Sequence, residues 1–325
     1  MTPYKNLAIL MMNVFEYCPR GYIEGGFYYF IRPSTAGIIR VQVLFEGGSY
    51  MRKYGNSNIK KHKSESPLTD AIGWYVTYHE LGHAQLQTRY RGETEANVNF
   101  FYTYILNVKF GKDFDYAFAM SRGQKPGQGG LTPDQAAIHW MVTENFRDGK
   151  DMDHSNTEYD EFRYQHRGYA KYADIARLYG WDTLTNFYRQ QQLNCINEND
   201  CLGPYFQGVD DRTLSLSIAA GYDLTPLIHF WGIQPEDPEY LKEKILENGL
   251  GPSASLKELL MSYKPLIPVT NAEFNDIYET FFPGKPEGNS PLYGAGWFNA
   301  WKDIWNEYHG WAAQAALQNI VDLYF

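Results

Sequence analysis

The spacing of apolar residues changes once along the chain. Before about residue 66 the pattern is that of strands. Phe27-Tyr28-Tyr29-Phe30-Ile31 and the run from Gly37 to Phe45 are rich in aromatic and β-branched residues, and Pro33-Ser34-Thr35 separates them. The stretch Leu7 to Val14, with Lys5 ahead of it, has the look of a short export signal core. It lacks an A-x-A cleavage site and runs into Phe15-Glu16-Tyr17, so it too reads as a strand. After the polar stretch Tyr54 to Ser66 the spacing lengthens. From an N-cap at Thr69 or Asp70, Ile72, Val76, His79, His83 and Leu86 recur at three- or four-residue steps, which predicts an amphipathic helix. Arg91-Gly92 breaks it, and a second helical pattern runs from Thr94 through Leu106.

Further helices are expected over Pro133 to Arg147, Tyr169 to Leu178, Thr183 to Gln192, Asp211 to Ala220, Leu224 to Trp231, Pro238 to Glu247 and Ser255 to Met261. The glycine-rich stretch Gly123 to Gly130 reads as a flexible loop. It lacks the spacing and the trailing Lys-Ser/Thr of a phosphate-binding loop. From Pro265 the chain looks irregular until Asn299 to Tyr324, which is helical or mixed. The expected class is α+β: a β-rich N-terminal portion (1-66) packed against a mainly helical domain (67-325), the two forming one structural unit.

Composition narrows the function. Of the 325 residues, 17% are aromatic and 21% charged, a balance that excludes a disordered chain. The 38 acidic residues outnumber the 29 basic ones, for a net charge of −9, so the clustered cations that nucleic acid requires are missing. The short basic run Lys60-Lys61-His62-Lys63 is read as a solvated loop. No apolar run approaches the ~20 residues needed for a membrane span. Cys195 and Cys201 flank a polar loop and could close a small disulfide, leaving Cys18 over; the spacing alone leaves this open.

Chemistry concentrates in His79-Glu80-Leu81-Gly82-His83, which fits H-E-x-x-H. Residues four apart share a helix face, so both imidazoles can bind one metal ion. Glu80 sits about 100° round the helix from His79, where it can act on a water without being a ligand. Zinc suits nitrogen and oxygen ligands with one position left open. Two histidines can also fall in this register by chance on an ordinary core helix, but the N-capped, apolar-periodic setting favours a site. A metzincin would carry Gly at position 86 and His at position 89; the chain has Leu86 and Arg89, so that class is excluded. Carboxylates follow at Glu93 and Glu95. With Gly92 as the turn, the next helix can return antiparallel and bring Glu95 in as third ligand, a His-His-Glu gluzincin set, with Glu93 the competing choice. Asn99, four residues beyond Glu95, shares its face. Its side chain could accept the ring N–H of a ligand histidine, or could simply be solvated.

Three motifs in order carry a family resemblance. His79-Glu80-Leu81-Gly82-His83 with Gly92-x-x-Glu95-Ala96-x-x-Asn99 resembles the H-E-x-G-H…E-V-x-x-N signature of the enhancin-like, mucin-degrading metallopeptidases, peptidase family M-sixty. Tyr179-Gly180-Trp181 resembles that family's F-G-W element. Gly221-Tyr222-Asp223-Leu224-Thr225-Pro226-Leu227 with Trp231-Gly232 is similar to its G-x-D-L-T-P-x-F…W-G element. The likeness runs from about Trp74 to Gly232, with Ala96 where the family has Val. It implies a catalytic zinc on His79, His83 and Glu95, with Glu80 as general base. It further implies a secreted or cell-surface endopeptidase for O-glycosylated, mucin-like proteins, often one module of a larger chain. A monomer is expected.

Two other readings remain: a gluzincin for unglycosylated peptides, and a non-catalytic mucin-binding adhesion module. Intact His79, Glu80, His83 and Glu95 speak against the last, since a binder has no need of Glu80. A donor for the reaction's oxyanion is expected among His154, Tyr159, Tyr164, His166 and Tyr169, with His229 and His309 as outsiders. Aromatics near the motif, Trp74, Tyr75, Tyr78, Tyr90 and Phe100 to Tyr104, are expected to be mostly helix packing, with a minority free to meet sugar rings.

Overall fold

A computed structural model describes residues 88–90, 93, 96–123, 125–126, 129–152, 166–198, 205–206, 208–281 and 301–325, with backbone alone at 88–89, 192–198 and 205–206. It also describes the backbone of strands β1 (Ile23–Glu24), β2 (Phe27–Arg32) and β3 (Arg40–Phe45). These three pair antiparallel in the order β1-β2-β3, with Tyr29 opposite Val43 and Ile31 opposite Val41. Two short strands, β4 (Thr88–Arg89) and β5 (Tyr205–Phe206), pair in parallel. The rest of the described chain is mostly helical, and no described helix is long and apolar enough to cross a membrane.

In chain order the helices are α1 (Asn97–Tyr104), α2 (Phe114–Ala119), α3 (Pro133–Met141), α4 (Glu144–Arg147), α5 (Ala170–Tyr179) and α6 (Trp181–Glu198). There follow α7 (Val209–Ala220), α8 (Thr225–Phe230), α9 (Pro238–Glu247), α10 (Ala254–Tyr263), α11 (Asn271–Phe281) and α12 (Glu307–Tyr324). Local chemistry sets many of their ends. Thr132 caps α3 in a reciprocal box with Gln135, and Pro133 fills the first turn, where no N–H is needed. Asp237 caps α9 ahead of Pro238, so the pattern-based and observed limits of that helix coincide.

Two expectations need correction. Pro133 to Arg147 is not one helix: Thr143 turns extended, accepts from the Phe146 N–H, and starts α4 anew. The stretch from Pro265 is not irregular throughout, because α11 occupies its middle. Thr270 and Glu273 cap it reciprocally, and Phe274, Tyr278 and Phe281 bury one stripe.

Helix α5 is the centre of the core. Every residue from Ala170 to Ala176 is buried, so no side faces water, and α6 and α3 pack against it. Asp174 lies in this helix with no exposure at all. Its carboxylate accepts from Trp231 Nε1 and Tyr263 Oη, both at 2.8 Å. Burial raises its pKa to about 7, against the lowering effect of those two donors.

The downstream motifs act as scaffold. Gly180, at φ 83°, joins α5 to α6. The Trp181 ring packs on Phe100, Tyr104 and Phe114 at centroid distances of 5.2, 5.1 and 5.6 Å. Its indole N–H donates to Asn107 Oδ1 at 2.8 Å. Asn107 lies in a single widened turn, Ile105–Lys109, that continues α1 with π-helical bonding. Gly221, at φ 74°, ends α7, Asp223 Oδ1 accepts from the Thr225 N–H, and Pro226 sits in the first turn of α8. Gly232 combines φ 70° with a crowded site: a Cβ there would lie 2.6 Å from Met152 N and 2.7 Å from the Trp140 ring.

Gly232→Ala is therefore expected to cost more than about 2 kcal/mol, from a strained φ and overpacking together. Urea unfolding measures it, and a cost below about 0.5 kcal/mol would contradict the packing described. A second expectation concerns pH. Because Asp174 has a higher pKa folded than unfolded, its protonated form stabilises the fold. That stabilisation is complete below about pH 4 and is lost as pH rises towards about 7. Asp174→Asn, an isostere of the protonated acid, should flatten the decline in Tm between pH 4 and 7; an unchanged slope would show that Asp174 does not cause it.

Candidate metal centre

His79, Glu80, His83 and Glu95 lie outside the described residues, as do Trp74, Tyr75 and Tyr78. Among the described residues no group of three His, Cys, Asp or Glu could hold a metal ion. What is described is the stretch that carries Glu95: Tyr90, Glu93, and the chain from Ala96 into α1. The Glu93 carbonyl accepts from the N–H groups of Ala96 at 3.1 Å and Asn97 at 3.0 Å. The Glu93 N–H donates in turn to the Tyr90 carbonyl at 3.2 Å.

The Glu93 side chain points into the protein and is 3% exposed. Oε1 pairs with Lys171 Nζ at 2.6 Å. Tyr172 Oη donates to both oxygens, at 3.1 and 2.9 Å, and Oε2 also accepts from the Tyr90 N–H at 3.1 Å. Arg212 Nη2 stands 4.0 Å from Oε2 and donates to Tyr172 Oη at 2.9 Å. Lys171 also donates to the Gly168 carbonyl at 2.7 Å. The Arg212 guanidinium lies over the rings of Tyr90 and Phe187, 5.1 and 4.9 Å from their centroids. Tyr90 Oη closes the cluster on Thr213 Oγ1 at 2.9 Å. Burial pulls the Lys171 ammonium below its usual range against the opposing attraction of Glu93, and pushes the Tyr172 phenol well up.

A carboxylate offers about four lone-pair positions. On Glu93 they are taken by an ammonium, a phenol and a backbone N–H, so Glu93 is not free to ligate a metal. Of the two carboxylates that the spacing leaves open, this removes one. Asn99 is buried on α1, 4% exposed, so it is not a solvated amide.

Several expected oxyanion donors have structural duties instead. His166 is buried, with Nε2 3.0 Å from the Ala119 carbonyl, and burial with Arg122 nearby lowers its pKa to about 3, so the ring stays neutral. Tyr169 Oη is hydrogen-bonded to Ser121 Oγ within the core. His229 Nδ1 meets Tyr324 Oη at 2.9 Å, and His309 Nδ1 accepts from the Asn306 N–H at the start of α12. His154, Tyr159 and Tyr164 lie outside the described residues. Of the nearby aromatics, Tyr90, Phe100 and Tyr102 are buried, while Phe101 packs on Tyr188 and Tyr104 on Trp181. These rings serve packing.

Pattern reading missed Lys171, Tyr172 and Arg212 as a set. The available signal was a lysine inside Tyr169-Ala170-Lys171-Tyr172-Ala173, an otherwise apolar stretch of helix. No protein-family model, curated protein or solved structure matches this chain.

Removing one member of a buried ion cluster strands the others. Glu93→Ala should therefore destabilise the fold by about 3–5 kcal/mol, far more than an exposed glutamate would. Chemical denaturation checks this, and a loss under about 1 kcal/mol would be incompatible with the buried pairing.

Proposed function

We propose that the protein is a zinc metallopeptidase of gluzincin type, a mainly helical catalytic unit with a β-rich N-terminal portion. The observation that carries the reading is the sequence His79-Glu80-Leu81-Gly82-His83 followed by Glu95. The donor set fits zinc: two imidazoles and one carboxylate, with room for a fourth ligand. The engagement of Glu93 in the core supports Glu95 as the third ligand. When bound, zinc acidifies water and polarises the scissile carbonyl. Glu80 removes the proton from the attacking water and returns it to the departing amine. The buried Asn99 is assigned to orienting a ligand histidine.

The substrate we propose is the backbone of O-glycosylated, mucin-like proteins, met outside the cell or at its surface by a monomer, with no role for nucleic acid. This part rests on the order of the three motifs. One observation favours a second reading, in which glycans are not required. Of the described aromatics beside the motif in sequence, Tyr90, Phe100 and Tyr102 are buried and cannot meet sugar rings, while the half-buried Phe101 and Tyr104 pack on Tyr188 and Trp181.

Glu80→Gln should abolish peptide hydrolysis while leaving zinc content and the circular dichroism spectrum as in the wild type; unchanged turnover would refute the assigned chemistry. Matched peptides with and without O-glycans separate the two substrate readings. Cleavage confined to the glycopeptide is expected, and equal cleavage would favour the second.

A further inference from the structure

We propose that the reciprocal cap of α12 is a pH-sensitive latch, closed while His309 is neutral and released when its ring takes a proton. The inference does not depend on the metallopeptidase reading. At the start of α12 the Asn306 N–H donates to His309 Nδ1 at 3.2 Å, and Asn306 Oδ1 accepts from the His309 N–H at 3.4 Å. Only a lone pair can receive the Asn306 N–H, so the ring is neutral with its proton on Nε2. In an imidazolium both nitrogens are donors, and two N–H groups would then face each other. Reciprocal boxes ordinarily place Glu or Gln at this position. The chain does so twice elsewhere, with Gln135 at α3 and Glu273 at α11. At α12 the place falls to the side chain that changes charge nearest neutrality.

The surroundings favour the neutral ring. The Arg147 guanidinium of α4 lies 4.2 and 5.2 Å from the centroids of Trp301 and Trp305. His309 packs on the same two indoles, at 5.1 and 5.4 Å. Protonation would set a second cation near Arg147 and a positive charge in the first turn of α12, where the helix dipole opposes it. Burial and the Arg147 charge hold the His309 pKa below the ordinary histidine value. Glu144 and Asp148 act on Arg147, Tyr308 adjoins the ring, and Glu279 of α11 pairs with Lys302. Asp303 and Glu307 are exposed and so screened by water. His229 of α8, Lys257 of α10 and Lys264 just after it meet Tyr324, Phe325 and Gln318, toward the far end of α12. His229 is no second latch, because a protonated Nδ1 still donates to the Tyr324 hydroxyl. The latched turn is docked closely: a Cβ on Gly310 would lie 2.6 Å from the Pro268 carbonyl oxygen, which also accepts from Trp305 Nε1. The turn carries Tyr308 and Trp311, 74% and 57% exposed, so the latch sets how these two rings are presented. With the lower pKa in the folded state, its contribution is complete above about pH 6.5 and is lost as pH falls below that.

Hydrogen exchange of the full chain tests this in wild type and His309→Gln, resolved over residues 306–312 and corrected for the intrinsic pH dependence of exchange. Gln is neutral throughout and accepts the same N–H. Between pH 7.5 and pH 5 the wild-type amides of this turn should lose about fivefold or more of their protection, the worth of a helix cap. In His309→Gln, and in the first turn of α3 where Gln135 closes the box, the change should stay within about twofold. A wild-type α12 turn that keeps its protection at pH 5 overturns the proposal. So does an equal loss in His309→Gln, which would place the cause outside the ring. Should the variant not fold, the wild-type α12 and α3 turns are compared directly, and parallel behaviour refutes the latch.

Discussion

A carboxylate taken out of water must find compensating charge and donors, and Glu93 draws them from three separate parts of the chain. Lys171 and Tyr172 come from the most deeply buried helix, Arg212 from a second helix, and the Tyr90 N–H from the turn itself. Each partner is buried for the same reason that Glu93 can be. None of these groups could be placed there alone, so the arrangement forms as a unit. That unit joins Tyr90 and Glu93, ahead of α1, to α5 and α7.

Other buried polar groups of the described core are met in the same way. Fully buried Asp174 accepts from an indole at α8's end and a phenol on α10, with Arg177 Nη1 3.9 Å away. Trp140 and Trp305 likewise each give their indole N–H to a backbone carbonyl, that of Phe230 and that of Pro268. The motifs that follow the metal signature therefore have a physical meaning apart from catalysis. Their glycines end helices or admit close neighbours, and Trp181 and Trp231 bind helices together through one polar atom each.

Much of the helical architecture was legible in the sequence, because apolar period and cap chemistry are local. Pro238 to Glu247 is the clearest case, with Asp237 and Pro238 both marking its start. Where local signals conflicted, the reading failed. Prolines at 265 and 268 masked the Thr270–Glu273 capping box of α11, and Thr143 interrupted a pattern that otherwise continued to Arg147. The H-E-x-x-H pattern was legible as a motif, yet the burial of Glu93 was not. That burial turns on partners distant in sequence: Tyr172 lies 79 residues from Glu93. No periodicity encodes a contact of that span. The same holds for His166 and Tyr169, which looked available by type and prove to be committed to Ala119 and Ser121.

The central claim is that the core holds Glu93 while Glu95 serves the metal. The most direct measurement is the zinc content of purified wild-type protein beside Glu95→Ala, by atomic emission after exhaustive dialysis. One equivalent of zinc in the wild type and a near-complete loss in a folded Glu95→Ala is the predicted result. A Glu95→Ala protein that keeps its full equivalent would contradict the account.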